Sequence, residues 1–468
     1  MHGYGFEQLP SQEPILFKNA TLWTNEVEGV MPLTDLIIKN GKIAQIGNNL
    51  GCAECRIFNA QGKHITTGII DEHSHIALRG VNEGSKTISS EVCMGDVINP
   101  SDINIYRHLA GGVTATQLLH GSANAIGGQS ALIKLRWGFT AEQMKIEQAD
   151  GFIKFALGEN VKQSNWGPQF NKRYPQTRMG VEQTYMNYFT KAQEYLKNIQ
   201  TDAQNTRKDL ELDALAEIIN KKRFITCHSY VQSEITMLMR VAEKFNFTVN
   251  TFTHILEGYK VADKMKAHGV YASTFADWWA YKFEVIDAIP HNAGILSQMG
   301  VCTAINSDDA EMARRLNQEA AKSVKYANMS EEDAWKMITL NPAKMLHLDK
   351  RMGSLRVGKD ADVVLWSDHP LSIYALAEQT YVDGRLFYSL ESNTKLQERI
   401  QKERARLIQK MSEDKKAVAD MMFYKLTGDQ LSVVRIQEEI AKQKMNDLNA
   451  LDLEQAVKII FRSNCISG

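Results

Sequence analysis

The sequence lacks any surplus of basic charge and any long apolar run. Lysine and arginine number 54 against 55 aspartate and glutamate residues, which gives a formal net charge of −1. This balance provides no electrostatic attraction to nucleic acid or to an anionic membrane. No run of about 18 apolar residues is present, as a membrane-spanning helix would require. A small molecule or a short peptide is therefore the expected partner.

Residues 1–12 also lack the charged and apolar regions of a signal peptide. The chain as written is expected to be cytoplasmic, whereas a periplasmic or secreted protein with its signal peptide removed would look the same. Cysteine is scarce, with six residues, and only Cys52 and Cys55 are close in sequence. A zinc knuckle would need a second such pair. We expect a turn in a surface sheet there and no disulfide framework.

Two segments far apart in the sequence are rich in short strands and tight turns. The pair Asn40-Gly41 separates two apolar runs near the start, and Asp383-Gly384 does the same much later. Such pairs between apolar runs predict β-hairpins. We expect the two segments to form one small β-sandwich.

Between these segments, short apolar runs alternate with helical patterns, which is typical of repeated βα units around a parallel sheet. The eight candidate strands are Thr67–His73, Val113–Leu119, Ala131–Leu135, Phe152–Leu157, Phe224–His228, Val249–His254, Val270–Phe275 and Val301–Asn306. A chain of 468 residues has room for a barrel of this kind and smaller parts. The predicted fold is α/β, a (β/α)8 TIM barrel.

The expected organisation has four parts. They are the first part of the sandwich (1–65), the barrel (66–348), the second part of the sandwich (349–390) and a helical C-terminal extension (391–468). From Asn393 to about Lys444, charged residues and apolar residues at helical spacing predict amphipathic helices. A charged face of this kind is usually only solvated, and partner binding or assembly into a homo-oligomer is the alternative.

Residues with metal-binding side chains end several of the candidate strands. His73 and His75 end the first, and histidines at i and i+2 of a strand point the same way. His228 and His254 end the fifth and sixth strands, and Asp308 follows the eighth. Barrels of this type build their sites at the carboxyl ends of the strands. Imidazole and carboxylate together suit zinc first, with iron, nickel and manganese as alternatives.

This arrangement resembles the amidohydrolase superfamily, and within it the imidazolonepropionase-like and prolidase-like members. The resemblance extends from about Ile15 to Tyr388. Its motifs are Leu36-Ile-Ile-Lys-Asn-Gly-Lys-Ile-Ala-Gln-Ile-Gly47, Ile69-Ile-Asp-Glu-His-Ser-His75, Thr177-Arg-Met-Gly180, Arg314-Arg-Leu-Asn317, Asn341-Pro-Ala-Lys344 and Gly353-Ser-Leu-Arg-Val-Gly-Lys-Asp-Ala-Asp-Val-Val-Leu365.

The resemblance implies one or two divalent ions. His73, His75 and Asp308 would bind one ion, and His228 and His254 would bind a second ion or the substrate. The bridging ligand would be a carboxylated Lys154 or Glu159, both of which lie in or after the fourth strand. In the remaining alternative both of these residues are structural.

Further residues are candidates for substrate contacts. Tyr230 is placed to hydrogen-bond an intermediate, and Trp278 either lines a pocket or packs the top of the barrel. Arg178 either binds a carboxylate or lies at the surface. His120 and His291 either orient a substrate or are structural, which is more common for a lone histidine.

The function implied is metal-dependent hydrolysis of a C–N bond in a small cyclic or peptide-like amide. Asp308 would act as both ligand and base, and a metal, or His254 if only one metal is bound, would polarise the carbonyl group. The first alternative is a mononuclear deaminase, which needs no ligand from the fourth strand. The second is a non-catalytic metal-binding scaffold whose helical tail binds partners.

Overall fold

The computed structural model describes residues 4–162, 166–168 and 173–424, with side chains as far as Lys415. Contacts within the chain divide it into two units, Met1–Lys395 and Leu396–Gly468. All strands that the structure describes lie in the first unit. The described part of the second unit is helical.

The strands of the first unit form three hydrogen-bonded sheets. They are β1 (Ile15–Trp23), β2 (Val30–Lys39), β3 (Lys42–Gly47), β4 (Arg56–Asn59), β5 (His64–Thr67), β6 (Ile69–Ser74), β7 (Val113–Leu118), β8 (Ile126–Gln129), β9 (Ala131–Lys134), β10 (Gly151–Ala156), β11 (Arg223–His228), β12 (Thr251–Thr253), β13 (Tyr271–Thr274), β14 (Thr303–Ile305), β15 (Val363–Trp366), β16 (Ala377–Val382) and β17 (Arg385–Ser389). The described helices are α1 (Ile103–Ala110), α2 (Ala141–Met144), α3 (Glu159–Lys162), α4 (Arg178–Thr201), α5 (Leu210–Ile219), α6 (Gln232–Lys244), α7 (Ala262–His268), α8 (Asn292–Gln298), α9 (Leu316–Ala327), α10 (Glu331–Lys336), α11 (Leu340–Met345) and α12 (Leu390–Tyr424).

The two β-rich segments meet in one eight-stranded sheet. Its order is β17-β16-β15-β5-β1-β2-β3, with β4 paired to β1. The junction is the antiparallel pair of β5 and β15, in which Ile65 lies opposite Leu365. Buried side chains from both segments, including Phe17 and Tyr381, pack in one apolar cluster. The prediction that these distant segments combine is confirmed.

Both predicted hairpins are present. Asn40 and Gly41 connect β2 to β3 with φ of 52° and 73°, and Asp383 and Gly384 connect β16 to β17 with φ of 49° and 70°. Positive φ at both central residues is the geometry of a type I′ turn, which matches the twist of the strands. Asparagine, aspartate and glycine tolerate this backbone region better than other residues, so these pairs mark the turns in the sequence.

Parallel strands carry the candidate ligands. Strands β10 to β14 pair in parallel in chain order, and β6 pairs in parallel with β7. The predicted third strand, Ala131–Leu135, differs, because β9 is antiparallel to β7 and β8 is antiparallel to β10. The prediction of a parallel strand there is wrong. The chain between β7 and β9 contains no helix, whereas a parallel return needs a crossover of a dozen or more residues, usually helical.

The first and last of the parallel strands approach each other at their carboxyl ends. β6 and β14 belong to different sheets. The backbone nitrogen of Asp308, shortly after β14, nevertheless donates a hydrogen bond of 3.2 Å to the carbonyl oxygen of His73 in β6. His73 and Asp308, which are far apart in the sequence, are therefore neighbours in the fold.

A disulfide joins Cys52 to Cys55 in the connection between β3 and β4, with the two Cα atoms 5.3 Å apart. The predicted turn is present, and the two cysteines form a single local disulfide there rather than part of a disulfide framework. A turn between cysteines three residues apart brings their Cα atoms into the range that a disulfide requires. The bond is local and does not connect distant parts of the chain.

The C-terminal extension begins with the long helix α12, which carries exposed apolar side chains at Leu407, Ile408 and Met411. The predicted helical pattern between residue 425 and Lys444 lies outside the described residues. Among the helices that the structure describes, none has the combined length and apolar character needed to cross a membrane.

A buried lysine connects the three-stranded sheet of β6, β7 and β9 to the eight-stranded sheet. Lys134 on β9 is fully buried, and its Nζ lies 2.8 Å from Asp360 Oδ2 and 2.9 Å from Asp362 Oδ2. It also pairs with Asp383 in the turn between β16 and β17. The ammonium group offsets the repulsion among the three carboxylates. This acidic cluster therefore already contains its cation.

Replacing Lys134 by methionine should leave three carboxylates without their counter-charge. Removing one partner of a buried ion pair costs about 3–5 kcal/mol, so we expect Lys134→Met to lower the free energy of unfolding by about that amount. Urea denaturation followed by circular dichroism measures the change. Lys145→Met is the matched control, because Lys145 pairs with the exposed Glu142 and should cost less than about 1 kcal/mol. Equal losses in both variants would contradict the role of the cluster.

Candidate metal centre

The five predicted ligands lie at the carboxyl ends of parallel strands. His73 is in β6 and His75 follows it, while His228 is the last residue of β11. His254 directly follows β12, and Asp308 follows β14. Because neighbouring parallel strands end at the same edge, these side chains converge although they are far apart in sequence.

His73, His75 and Asp308 form the tightest group. The Nε2 atoms of the two histidines are 3.3 Å apart. Asp308 Oδ1 lies 3.2 Å from Nε2 of His73 and 3.1 Å from Nε2 of His75. One nitrogen or oxygen from each residue therefore faces the same small volume, with all three atoms within 4.8 Å of one another.

The other nitrogen of each ring fixes its orientation. Nδ1 of His75 lies 2.8 Å from the carbonyl oxygen of Leu119, and Nδ1 of His73 lies 2.9 Å from Oγ1 of Thr253. A carbonyl oxygen only accepts hydrogen bonds, so His75 carries its proton on Nδ1. Its Nε2 then presents a lone pair to the group, as expected for a metal ligand whose other nitrogen is hydrogen-bonded.

His228 and His254 have no hydrogen-bond partner on either ring nitrogen among the described residues, although both rings are buried. The ring centroids are 4.8 Å apart, and Nε2 of His254 lies 3.6 Å from Oδ2 of Asp308. A buried polar group without a partner is costly, so such groups call for a metal ion, water or ligand. The residues present therefore fit a divalent ion.

The ionisation states suit a cation. Burial lowers the pKa of His73, His228 and His254 well below the usual value, so these rings are neutral at pH 7. Burial acts to raise the pKa of Asp308, but interactions with His73 and His254 outweigh it and hold that pKa well below its usual range. Neutral imidazole and ionised carboxylate are the forms that bind metal ions.

The backbone at two of these residues is strained. His254 has a φ of 68° and Asp308 a φ of 49°, in the left-handed region that residues with a Cβ rarely adopt. Conformations of this kind cost about 1–3 kcal/mol each and occur most often at functional sites. In both cases the strained residue is one whose side chain points into the group.

Comparison with known proteins identifies the family to which this chain belongs. Residues 65–393 match the model of the amidohydrolase family. The chain belongs to that family. Membership confirms the resemblance in the sequence and implies a TIM barrel of mixed α/β content.

Three relatives illustrate how far the likeness extends. The amidohydrolase tasK of Hapsidospora irregularis is 26% identical over 424 aligned residues, covering 80% of this chain and 43% of tasK. The imidazolonepropionase of Picrophilus torridus is 23% identical over 384, covering 75% of this chain and 91% of that protein. The crystal structure of an amidohydrolase from Thermotoga maritima MSB8 is 31% identical with a TM-score of 0.74, covering 80% of this chain and 100% of that one. The chain described here thus spans less than half of the length of tasK.

Of the two candidate bridging ligands, Lys154 is the one next to the group. Its side chain is fully buried, and Nζ lies 3.2 Å from Nε2 of His73. Burial lowers the pKa of Lys154 to about 8, against the opposing effect of Asp308. A substantial fraction of this amine is therefore neutral near pH 8, and the neutral amine is the form that reacts with carbon dioxide.

Glu159 is placed differently. It begins α3, and its backbone nitrogen donates to the carboxylate of Glu284. Its carboxylate is not among the ligand atoms that lie within 4.8 Å of one another at His73, His75 and Asp308.

Tyr230 and Trp278 belong to an aromatic wall beside His228 and His254. The Tyr230 ring lies 4.6 Å from that of His228, and its hydroxyl is 2.9 Å from the hydroxyl of Tyr281. Trp278 stacks at 4.5 Å on Phe275, which stacks at 4.6 Å on His254. Both residues therefore lie near the candidate centre.

Arg178 is already paired with two buried carboxylates. Its Nε lies 3.1 Å from Glu234 Oε2, and its Nη2 lies 3.4 Å from Glu284 Oε1. Glu234 and Glu284 also accept hydrogen bonds from the backbone nitrogens of Gly158 and Glu159. Through these two glutamates, Arg178 at the start of α4 is connected to the residues that follow β10.

The structure places the two lone histidines in different surroundings. His120 has Nδ1 2.8 Å from the carbonyl oxygen of Gly121, and its Nε2 accepts from the backbone nitrogen of Glu83. Both nitrogens of His120 therefore have partners in the backbone. His291 is exposed immediately before α8, with its ring 6.2 Å from that of Tyr326.

Two residues that support the histidines were not found from the sequence. Thr253 contacts Nδ1 of His73, and its hydroxyl donates to Glu72 Oε1 at 3.0 Å. Both residues stand directly beside predicted ligands. Adjacent residues of a strand point to opposite faces, so sequence position gave no sign that they contact the same ring.

Alanine variants at the two bridge candidates should separate them. We expect Lys154→Ala to lose about one of two bound ions per chain and Glu159→Ala to lose none, because only Lys154 lies beside the ligand atoms. Inductively coupled plasma mass spectrometry of protein loaded with zinc and bicarbonate measures the content. Full metal content in Lys154→Ala, with loss in Glu159→Ala, would reverse the assignment.

Proposed function

We propose that this amidohydrolase is a metal-dependent enzyme that hydrolyses a C–N bond of a small cyclic or peptide-like amide. The observation that carries the proposal is the convergence of two imidazole Nε2 atoms and one carboxylate oxygen. His73, His75 and Asp308 supply these atoms within 3.3 Å of one another. Two buried histidines without partners, His228 and His254, stand beside them.

The cofactor would be one or two divalent ions, zinc before iron, nickel or manganese. His73, His75 and Asp308 would bind the first ion, His228 and His254 the second, and Lys154 as a carbamate would bridge them. A bound ion of this kind lowers the pKa of water from 15.7 to about 7 and polarises a carbonyl oxygen. Formation of the carbamate joins the neutral amine nitrogen of Lys154 to carbon dioxide and releases one proton.

Asp308 would be the group that moves the proton. It is ionised. Its Oδ1 lies beside His73 of the first predicted ion site, and its Oδ2 lies 3.6 Å from His254 of the second. Its free lone pairs would accept a proton from the attacking water as the C–O bond forms. The same carboxyl group would then return that proton to the leaving nitrogen as the C–N bond breaks.

In the two-metal site the ions would polarise the carbonyl oxygen, whereas with one ion bound His254 would stabilise the oxygen on which negative charge develops. The ring stacks against Phe275 at 4.6 Å and lies 5.9 Å from Tyr230, so its position is fixed before the substrate arrives. Donors fixed in advance lower the barrier because no reorganisation is needed during the reaction. Tyr230, with a hydroxyl group whose pKa burial keeps well above 10, would be a second donor.

The aromatic wall supports a substrate with an apolar part next to the scissile bond. Trp278 is half-buried, and Tyr281 is 49% exposed beside the hydroxyl of Tyr230. Arg178 is less suited than the sequence suggested to bind a substrate carboxylate, because Glu234 and Glu284 already offset its charge.

A mononuclear deaminase is the second candidate function, and a metal-binding scaffold without catalysis is the third. The position of Lys154 beside His73 favours the two-metal hydrolase over the deaminase, which needs no ligand there. The strained backbone at His254 and Asp308 favours an enzyme over a scaffold, because such strain concentrates at active sites.

We propose in addition that the strands close into a barrel over residues 66–348 and that residues 1–65 and 349–390 form a sandwich. Closure is supported by the backbone hydrogen bond from Asp308 to His73. The sandwich is supported by the shared apolar cluster of β1, β2, β5, β15 and β16. The extension 391–468 would be a separate part.

The function is tested with a panel of N-acyl amino acids, dipeptides and cyclic imides. We expect the zinc-loaded protein to hydrolyse members of one class, to lose that activity on chelation and to regain it with zinc. Product formation is followed by mass spectrometry. Full activity in protein that contains less than about a tenth of an equivalent of metal would overturn the mechanism.

The proton transfer assigned to Asp308 predicts a specific loss. Asp308→Asn keeps an oxygen that can contact a metal but cannot accept or return a proton. We expect kcat to fall by about 10²- to 10⁴-fold, with a smaller change in metal content. Steady-state kinetics on the best substrate of the panel measures the loss.

Asp309 is the control for Asp308. Its carboxylate is exposed and accepts hydrogen bonds from the backbone nitrogens of Glu311 and Met312. An asparagine oxygen accepts the same bonds, so Asp309→Asn should leave kcat nearly unchanged. More than about a tenth of wild-type kcat in Asp308→Asn would contradict the proton transfer.

A further inference from the structure

The ring of His73 is held by a side chain, whereas that of His75 is held by the backbone. Nδ1 of His73 faces the hydroxyl of Thr253 at 2.9 Å, and Nδ1 of His75 faces the carbonyl oxygen of Leu119. A backbone carbonyl is always an acceptor, but a hydroxyl both donates and accepts. The protonation of His73 therefore depends on what the Thr253 hydroxyl does elsewhere.

The other contacts of that hydroxyl settle its role. It donates its single proton to Oε1 of Glu72 at 3.0 Å. It accepts from Nδ2 of Asn306 at 3.3 Å, and an amide nitrogen can only donate. The second lone pair of the hydroxyl then remains for His73, which must donate from Nδ1. Its Nε2 then keeps its lone pair, toward which Nζ of Lys154 lies at 3.2 Å.

Because this chain of hydrogen bonds is buried, losing any one of them is costly. The side chains of Glu72, Thr253 and Asn306 are buried. Nδ2 of Asn306 also donates to Oγ of Ser273 at 2.7 Å, so its two hydrogens have hydroxyl partners. In such an interior a hydrogen bond that is lost leaves its partner unsatisfied at a cost of about 1–3 kcal/mol.

We propose that Thr253, held by Glu72 and Asn306, is a positioning residue for the metal centre. It keeps the proton of His73 on Nδ1 and directs the Nε2 lone pair at the volume shared with His75 and Asp308. The inference rests on the proposed function, because it concerns the affinity of this site for a divalent ion. Thr253 touches neither the substrate nor the ion in this role.

The test compares three variants of two threonines on β12. Thr253→Val keeps the shape and removes the hydroxyl, Thr253→Ser restores it, and Thr251→Val is the matched control. Thr251 is buried on the same strand, and its hydroxyl accepts from Asn250. Zinc affinity is measured at pH 7 by competition with a chromogenic chelator, and folding of the metal-free proteins by thermal unfolding.

We expect Thr253→Val to bind zinc about 10- to 100-fold more weakly than the wild type, the range typical of lost partners of ligating histidines. Thr253→Ser should recover to within about threefold, and Thr251→Val should stay within about twofold. An affinity of Thr253→Val equal to the control, or no recovery in Thr253→Ser, would overturn the proposal. If the wild type itself does not bind zinc, the proposed function fails.

If Thr253→Val does not fold, Glu72→Gln tests the role of Thr253 instead. The amide presents a donor as well as an acceptor to Thr253, so it weakens the preference for a proton on Nδ1 of His73. We expect zinc affinity to fall by about 3- to 10-fold, a smaller loss than in Thr253→Val. An unchanged affinity in folded Glu72→Gln would also overturn the proposal.

Discussion

Four imidazoles and one carboxylate converge at the carboxyl ends of the parallel strands, where His73, His228 and His254 are buried and His75 and Asp308 are partly exposed. His73 and His75 have their Nε2 atoms 3.3 Å apart, and neither ring nitrogen of His228 or His254 has a partner among the described residues. Lone pairs this close repel unless a proton or a cation lies between them, and among the described residues only the Lys154 amine, 3.2 Å from Nε2 of His73, is recorded beside them. The need for a cation is the constraint on which the site depends, and Asp308 is kept ionised by the same surroundings.

The scaffold supplies what this convergence requires. Parallel strands bring the ligands to one edge, and left-handed backbone at His254 and Asp308 turns their side chains into the group. The strain is tolerated because the surrounding strands are tightly packed, with Phe252 and Ile305 fully buried beside the two residues. Lys134 connects the three-stranded sheet of β6, β7 and β9 to the eight-stranded sheet through three aspartates. Stability elsewhere thus compensates for a costly site.

The sequence was informative where a residue type or a turn has one structural use. Asn40-Gly41 predicted a hairpin that is present, and the pair His73 and His75 with three further residues at strand ends predicted a group of side chains that the structure brings together. It was not informative where the outcome depends on distant partners. The pairing of Arg178 with Glu234 and Glu284 and the contact of Thr253 with His73 link parts of the chain that share no local pattern. The antiparallel β9 was missed because a short apolar run has the same appearance in either direction.

The central claim is that these five residues bind the catalytic metal. Crystals of the active protein grown with zinc, with anomalous diffraction recorded at the zinc absorption edge, test it most directly. The account predicts a peak about 2.0–2.1 Å from Nε2 of both His73 and His75 and a second peak beside His228 and His254. Active protein whose crystals show no anomalous peak among these residues, or a peak only at the aspartates around Lys134, would contradict it.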